Sequence, residues 1–158
     1  MEKVDGRLIE MANRHLVITR ALQHGFNAFL PVVDQGIDLI LHREADNRLF
    51  KVQLKSRWTI AKKYLGRDLW IAFPGSASDW YLMPHDRMVQ AAGALRVTDS
   101  QSWIEKGSYS SLPTPRLVSI SKGFELEKTL NDNTIEWHQQ QSLDETPSTS
   151  DSAPTLNS

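Results

Sequence analysis

At 158 residues the chain is long enough to bury a real core and too short for two comfortable ones, so one domain is expected. Hydrophobic residues at 40% and charged residues at 23% exclude a largely disordered chain, and no apolar run approaches the roughly 20 residues that span a bilayer. A net charge of −1 argues against a bulk polyanion binder, but the charge is unevenly spread.

Residues 139–158 hold Asp144, Glu145 and Asp151 and no base, which leaves residues 1–138 at +2. Between Arg43 and Arg67 stand eight basic residues against Glu44 and Asp46, a local +6. With no cysteine, a disulfide framework and a thiolate metal site are both excluded. The first residues lack a cationic stretch followed by a long apolar one, and a cytoplasmic protein is expected.

In chain order, Leu8, Met11, Ala12, Leu16, Ile18 and Leu22 recur at helical spacing, which predicts an amphipathic helix capped by Asp5 and stopped at Gly25. Phe26 to Val32 reads as a strand ended by a turn at Asp34, Gln35 and Gly36. Ile37 to His42 and Leu49 to Lys55 both alternate with period two, and the polar link through Asp46 and Asn47 makes them a hairpin. A turn centred on Asp46-Asn47 sets Asp38 opposite Lys55, and one centred on Ala45-Asp46 sets it opposite Gln53. In either register Asp38, Gln53 and Lys55 share a sheet face, while Ile37, Leu39, Leu41, Phe50, Val52 and Leu54 form core on the other.

Leu69 to Phe73 and Trp80 to Met83 flank a Pro-Gly-Ser turn and read as a further strand pair, with Trp70, Trp80 and Tyr81 in the core. Pro84 to Ala92 reads as a helix with His85 and Asp86 at its start. Residues 98–114 read as a loop with a short helix, and Arg116 to Leu130 as a last helix weakened by Gly123. From Gln139 onward the composition is that of a disordered tail, so the expected domain is 1–138 and the tail 139–158.

Phosphodiester hydrolysis needs a divalent cation to stabilise charge and acidify a water, with a further cation near that nucleophile. Hard Mg²⁺ takes oxygen ligands. Asp38, the side-chain oxygen of Gln53 and the ammonium of Lys55 supply those parts on one face. The basic stretch holding Lys51, Arg57, Lys62 and Lys63, with Trp58 and Tyr64 interleaved, suits a phosphate-contacting rim whose aromatics stack or wedge.

Gly36-Ile37-Asp38-Leu39-Ile40 followed by Val52-Gln53-Leu54-Lys55-Ser56 resembles the core motif of the PD-(D/E)xK nuclease superfamily, in particular small bacterial members and homing or restriction endonucleases with a Q-x-K variant. The resemblance spans residues 7–90. It implies an α/β fold with a restriction-endonuclease-like αβββαβ core, a mixed, mostly antiparallel sheet flanked by helices, with the first helix over the site face. It implies Asp38 as central Mg²⁺ (or Mn²⁺) ligand, Gln53 in the place of the usual second acid, and Lys55 as catalytic lysine. Where the resemblance implies a Glu in the first helix, this chain has Arg14, so Glu10 or Asp34 is the candidate auxiliary acid, Glu10 as a catalytic group and Asp34 as a metal ligand. The expected function is a metal-dependent DNA endonuclease, with DNA and a second copy of the chain as partners and no membrane. Alternatives are an inactive nucleic-acid-binding module on the same fold, or a protein-interaction module working through the tail.

Overall fold

The computed structural model describes residues 4–75 and 78–133. The expected domain end and the tail beyond it lie outside the described residues.

Helix α1, Gly6–Gln23, begins where the Asp5 carboxylate accepts the Arg7 backbone N–H, and stops at His24 and Gly25, whose φ of 81° suits glycine. Its buried face is Val17 and Ala21, whereas Leu8, Ile9, Met11 and Leu22 are exposed. The larger apolar residues thus do not mark the packed side. Val17 and Ala21 are small enough to let the helix lie close on the sheet.

Strands β1 (Asn27–Phe29), β2 (Leu39–Arg43) and β3 (Arg48–Leu54) form an antiparallel meander. Strand β1 is shorter than the expected Phe26 to Val32, and Val32 and Val33 stand exposed. In the β2–β3 hairpin Leu39 faces Val52 and Arg43 faces Arg48, so the turn centres on Ala45-Asp46. Asp46 locks it. The carboxylate meets Arg43 at 2.6 Å and Arg48 at 3.2 Å, and the Arg43 guanidinium holds its pKa down to about 2. His42 lies on the same sheet face as Asp38 and Gln53, at the turn end of the strand, with Nε2 3.0 Å from the Asn47 amide oxygen.

From β3 the chain crosses over to β5 (Trp70–Pro74), which pairs with it in parallel, a connection that needs a long link. That link holds strand β4 (Trp58–Ala61) and a 3₁₀ turn at Lys62–Tyr64, where the αβββαβ order has an α-helix. Strand β6 (Trp80–Pro84) returns antiparallel, giving a five-stranded sheet in the order β1-β2-β3-β5-β6. Its outer edge is covered by the 124–125 segment, through the Leu82 N–H to the Phe124 carbonyl and a bridge between Tyr81 and Glu125.

Helices α2 (His85–Ala94) and α3 (Gln101–Lys106) follow. Then come strand β7 (Ser108–Ser111), in the stretch expected to be loop, and helices α4 (Pro115–Ser121) and α5 (Leu126–Asn131). The expected single last helix is two, because Gly123 at φ 96° turns the chain between them. Strand β7 pairs with β4 in a separate two-stranded ribbon.

The fold is α/β in three layers. On one face Val17 and Ala21 of α1 and Leu126 and Leu130 of α5 pack on Leu39, Leu41, Phe50, Val52, Trp70, Ala72, Trp80 and Leu82. On the other, Met88, Ala92, Trp103 and Leu117 pack with the ribbon residues Trp58 and Ile60 on Ile71, Phe73, Tyr81 and Met83. Strands β5 and β6 are buried on both faces, which explains their unbroken apolar runs. Ile37 joins the second core, not the first as its alternation implied, because it precedes the regular part of β2. Trp58 and Tyr64 are core residues at 0% and 3% exposure, so the expected stacking or wedging role does not hold for them.

His85 ties the crossover to α2. It is 1% exposed, its Nε2 accepts the Ala61 N–H at 3.1 Å, and its Nδ1 lies 3.2 Å from the Asp86 carboxylate, which accepts the Gly66 N–H at 3.0 Å. No described helix is long and apolar enough to cross a membrane.

Candidate active site

The hairpin register decides the local geometry. Asp38 enters β2 with its N–H bonded to the Val52 carbonyl at 2.8 Å, and its Oδ2 accepts both the Gln53 Nε2–H and the Leu54 N–H at 2.7 Å. Of the two registers left open by the sequence, the observed one is that which brings Asp38 to Gln53. Gln53 is 8% exposed, and its Oε1 is buried without a hydrogen-bond partner. The amide is held in that sense because a carboxylate can only accept, so the NH₂ must face Asp38 and the carbonyl oxygen is left over. Lys55 leaves the sheet through its N–H to the Ala72 carbonyl at 2.9 Å, and its ammonium stands 5.7 Å from the centre of the Tyr64 ring.

Asp38, Gln53 and Lys55 line one cleft of about 470 Å³ at the end of β3. Glu10, Asn13 and Arg14 of α1 form one side and Thr59 and Ser110 of the β4–β7 ribbon another. Helix α1 therefore does not cover the site face as expected. Its apolar half packs on the opposite face, and its N-terminal half walls the cleft from the strand ends. Glu10 lies about two and three turns before the buried Val17 and Ala21 on the same side of the helix, which is why it reaches the cleft. Asp34 lines the cleft too, although its Oδ1 also caps its own turn by accepting the Gly36 N–H at 2.9 Å. An adjoining depression of about 460 Å³ shares Asp34, Gln53 and Lys55 and adds Lys63, Tyr64 and Arg67.

Burial pushes the Asp38 carboxyl above the usual carboxylate range and outweighs the Leu54 N–H, Arg14 and Lys55, which act in the other direction; Asp34 adds to the rise. A desolvated carboxylate beside an unpartnered carbonyl oxygen is an oxygen-donor pair in need of a positive charge. Such a donor set fits a hard divalent cation. Among the described residues no three His, Cys, Asp or Glu groups cluster as a ready metal cage; Glu10 and Asp34 line the same cleft as Asp38, and the Asp34 charge acts on it.

The four bases expected to meet phosphates divide. Lys63 lines the second depression, with its ammonium 5.0 Å from the Tyr64 ring centre. Lys51 donates to the Arg67 carbonyl at 3.1 Å and lies 3.7 Å from Asp68. Lys62 stands over the Trp103 ring at 5.6 Å. Neither these two nor the exposed Arg57 lines either hollow. Sequence reasoning missed Arg67, and it noted Arg14 only as a departure from pattern; the i, i+4, i+7 spacing of Glu10, Arg14 and Val17 with a correct helix face would have found the latter.

No family model and no curated protein sequence matches the chain. Among solved structures it is similar to a bacterial homing endonuclease, I-Ssp6803I, at 20% sequence identity and a TM-score of 0.49, over 81% of this chain and 91% of that one.

Proposed function

We propose that this chain is a divalent-metal-dependent DNA endonuclease. The observation that carries the reading is the Asp38–Gln53 pair, a desolvated carboxylate hydrogen-bonded to an amide whose carbonyl oxygen is buried and unpartnered, in the same cleft as the Lys55 ammonium. Asp38 and Gln53 would hold Mg²⁺ or Mn²⁺, with Asp34 the nearest further carboxylate on the wall. When bound, the ion supplies charge stabilisation at a phosphate and a more acidic water. Lys55 holds the attacking water by hydrogen bonding, fixed in place by its own backbone bond to β5 and by the Tyr64 ring. Glu10, on the opposite wall, is the group able to take or return a proton. Lys63 beside the second depression gives the nucleic-acid backbone a continuing positive path. Cutting both strands takes two such sites, which a pair of copies supplies.

The absence of a three-acid cluster among the described residues favours a second reading, a binding module that holds DNA without cutting it. Incubation of supercoiled plasmid with Mg²⁺, Mn²⁺ or chelator separates the two. Metal-dependent nicking is expected, falling by about 10²-fold or more in Lys55→Ala and lost in Asp38→Asn. Plasmid binding without nicking under any metal would replace the endonuclease reading with the binding one.

A further inference from the structure

Besides Lys55, Arg14 is the cation lining the cleft, and the proposed function gives it no part. It sits on the side of α1 that turns from apolar to polar where the helix passes the strand ends. Its Nε is buried and has no hydrogen-bond partner. Three carboxylates, Glu10, Asp34 and Asp38, line the same cleft, yet among the described residues Arg14 forms no ion pair with any of them, although its charge acts on Asp38. Elsewhere the chain pairs its arginines readily, Arg43 and Arg48 with Asp46 and Arg96 with Asp99. Arg14 as a whole is only half-buried, but a buried N–H left without a partner is costly to keep unless a ligand completes it.

We propose that Arg14 binds the phosphodiester that enters the cleft, its N–H groups donating to the non-bridging oxygens. The inference rests on the endonuclease reading and deepens it. The chemistry selects the ligand: a guanidinium repels a metal ion, and its planar fork matches the paired oxygens of a phosphate. The placement selects the phosphate. Arg14 shares the cleft with Asp38, Gln53 and Lys55, so the group it binds is the one presented to them and not a distant backbone contact. Arg14 is thus a substrate-positioning cation on the helix side, and Lys55 is its counterpart on the sheet side.

The test uses the full chain in chelator, so that metal plays no part. The Arg14 Nε–Hε resonance is followed by NMR while inorganic phosphate is added at constant ionic strength, with chloride as control. Binding of a short DNA duplex is then measured across salt for wild type, Arg14→Gln and Arg14→Lys. The expected result is a shift with phosphate and not with chloride. Arg14→Gln should bind about tenfold or more weakly with a log-log salt slope smaller by about one, and Arg14→Lys should recover the slope but not the full affinity. A resonance unmoved by phosphate, or an Arg14→Gln slope and affinity equal to wild type, overturns the proposal and leaves Arg14 as a charge balance for Asp38. Thermal melts of both variants exclude misfolding as the cause of lost binding. Wild-type plasmid nicking is scored separately, so its failure ends the endonuclease reading while the metal-free measurements still decide on Arg14.

Discussion

Replacing Gln53 by glutamate tests the centre of the site. In the wild-type structure the Gln53 Nε2 lies 2.7 Å from Asp38 Oδ2. Two carboxylates at that spacing repel by about 6 kcal/mol at an effective dielectric of about 20. A shared proton relieves the repulsion, and at pH 7 binding it costs about 3.7 kcal/mol, roughly 1.4 for each of the ~2.7 pH units above an ordinary glutamate pKa of about 4.3. The smaller figure governs, so metal-free Gln53→Glu should lose up to about 3.7 kcal/mol at pH 7, roughly 10 °C in Tm for a domain of this size. The folded-state pKa of the pair lies above the unfolded value, so the folded state binds the extra proton; the variant regains stability as the pH falls towards 5 and loses it as the pH rises. At pH 7 millimolar Mg²⁺ or Mn²⁺ should restore most of the loss, since the cation does the proton's work. Differential scanning calorimetry at pH 5 and 7, with chelator or metal, measures all four states. A variant as stable as wild type in chelator at pH 7 would refute the Asp38–Gln53 juxtaposition. A destabilised variant that metal fails to rescue would refute the cation site.

Three further outcomes follow from the same structure. Burial holds His85 below its ordinary pKa of 6.5, so the unfolded chain takes up that proton first; the stabilisation is complete above about 6.5 and declines as the pH falls below it, and His85→Gln should flatten that part of a Tm-against-pH curve. Phe50, fully buried between Phe26 at 5.5 Å and Trp70 at 4.8 Å, should cost about 3 to 5 kcal/mol as Phe50→Ala in chemical denaturation, and a loss under 1 kcal/mol would mean that the first core is misassigned. Lys63→Ala should lower the log-log salt slope of DNA binding by about one, whereas Lys51→Ala, already bonded to the Arg67 carbonyl and near Asp68, should change it little; equal slopes for the two variants would contradict the assigned path of the backbone.

The local elements were legible in the chain because short-range chemistry sets them. Period-two alternation over residues 37–42 and 49–55 yields a hairpin and its two faces whichever register is chosen, and Asp5 and Gly25 bound the first helix by capping and by φ. Which register holds depended on the Asp46 ion pairs with Arg43 and Arg48, a detail of the turn that alternation does not contain. The crossover resisted reading for a different reason: Trp58 and Ile60 stand among lysines and arginines in sequence, and only pairing with Ser108–Ser111, some fifty positions away, makes them strand and core. The parallel union of β3 with β5 is equally non-local. So is the helix face. The side of α1 that packs is set by the space over Leu39, Leu41, Phe50 and Val52, which admits Val17 and Ala21 and leaves Leu8, Met11 and Leu22 outside. That rotation carries Glu10 and Arg14 into the cleft, so the sequence alone determined the Asp38, Gln53 and Lys55 group within one hairpin, and tertiary packing alone decided what stands opposite it.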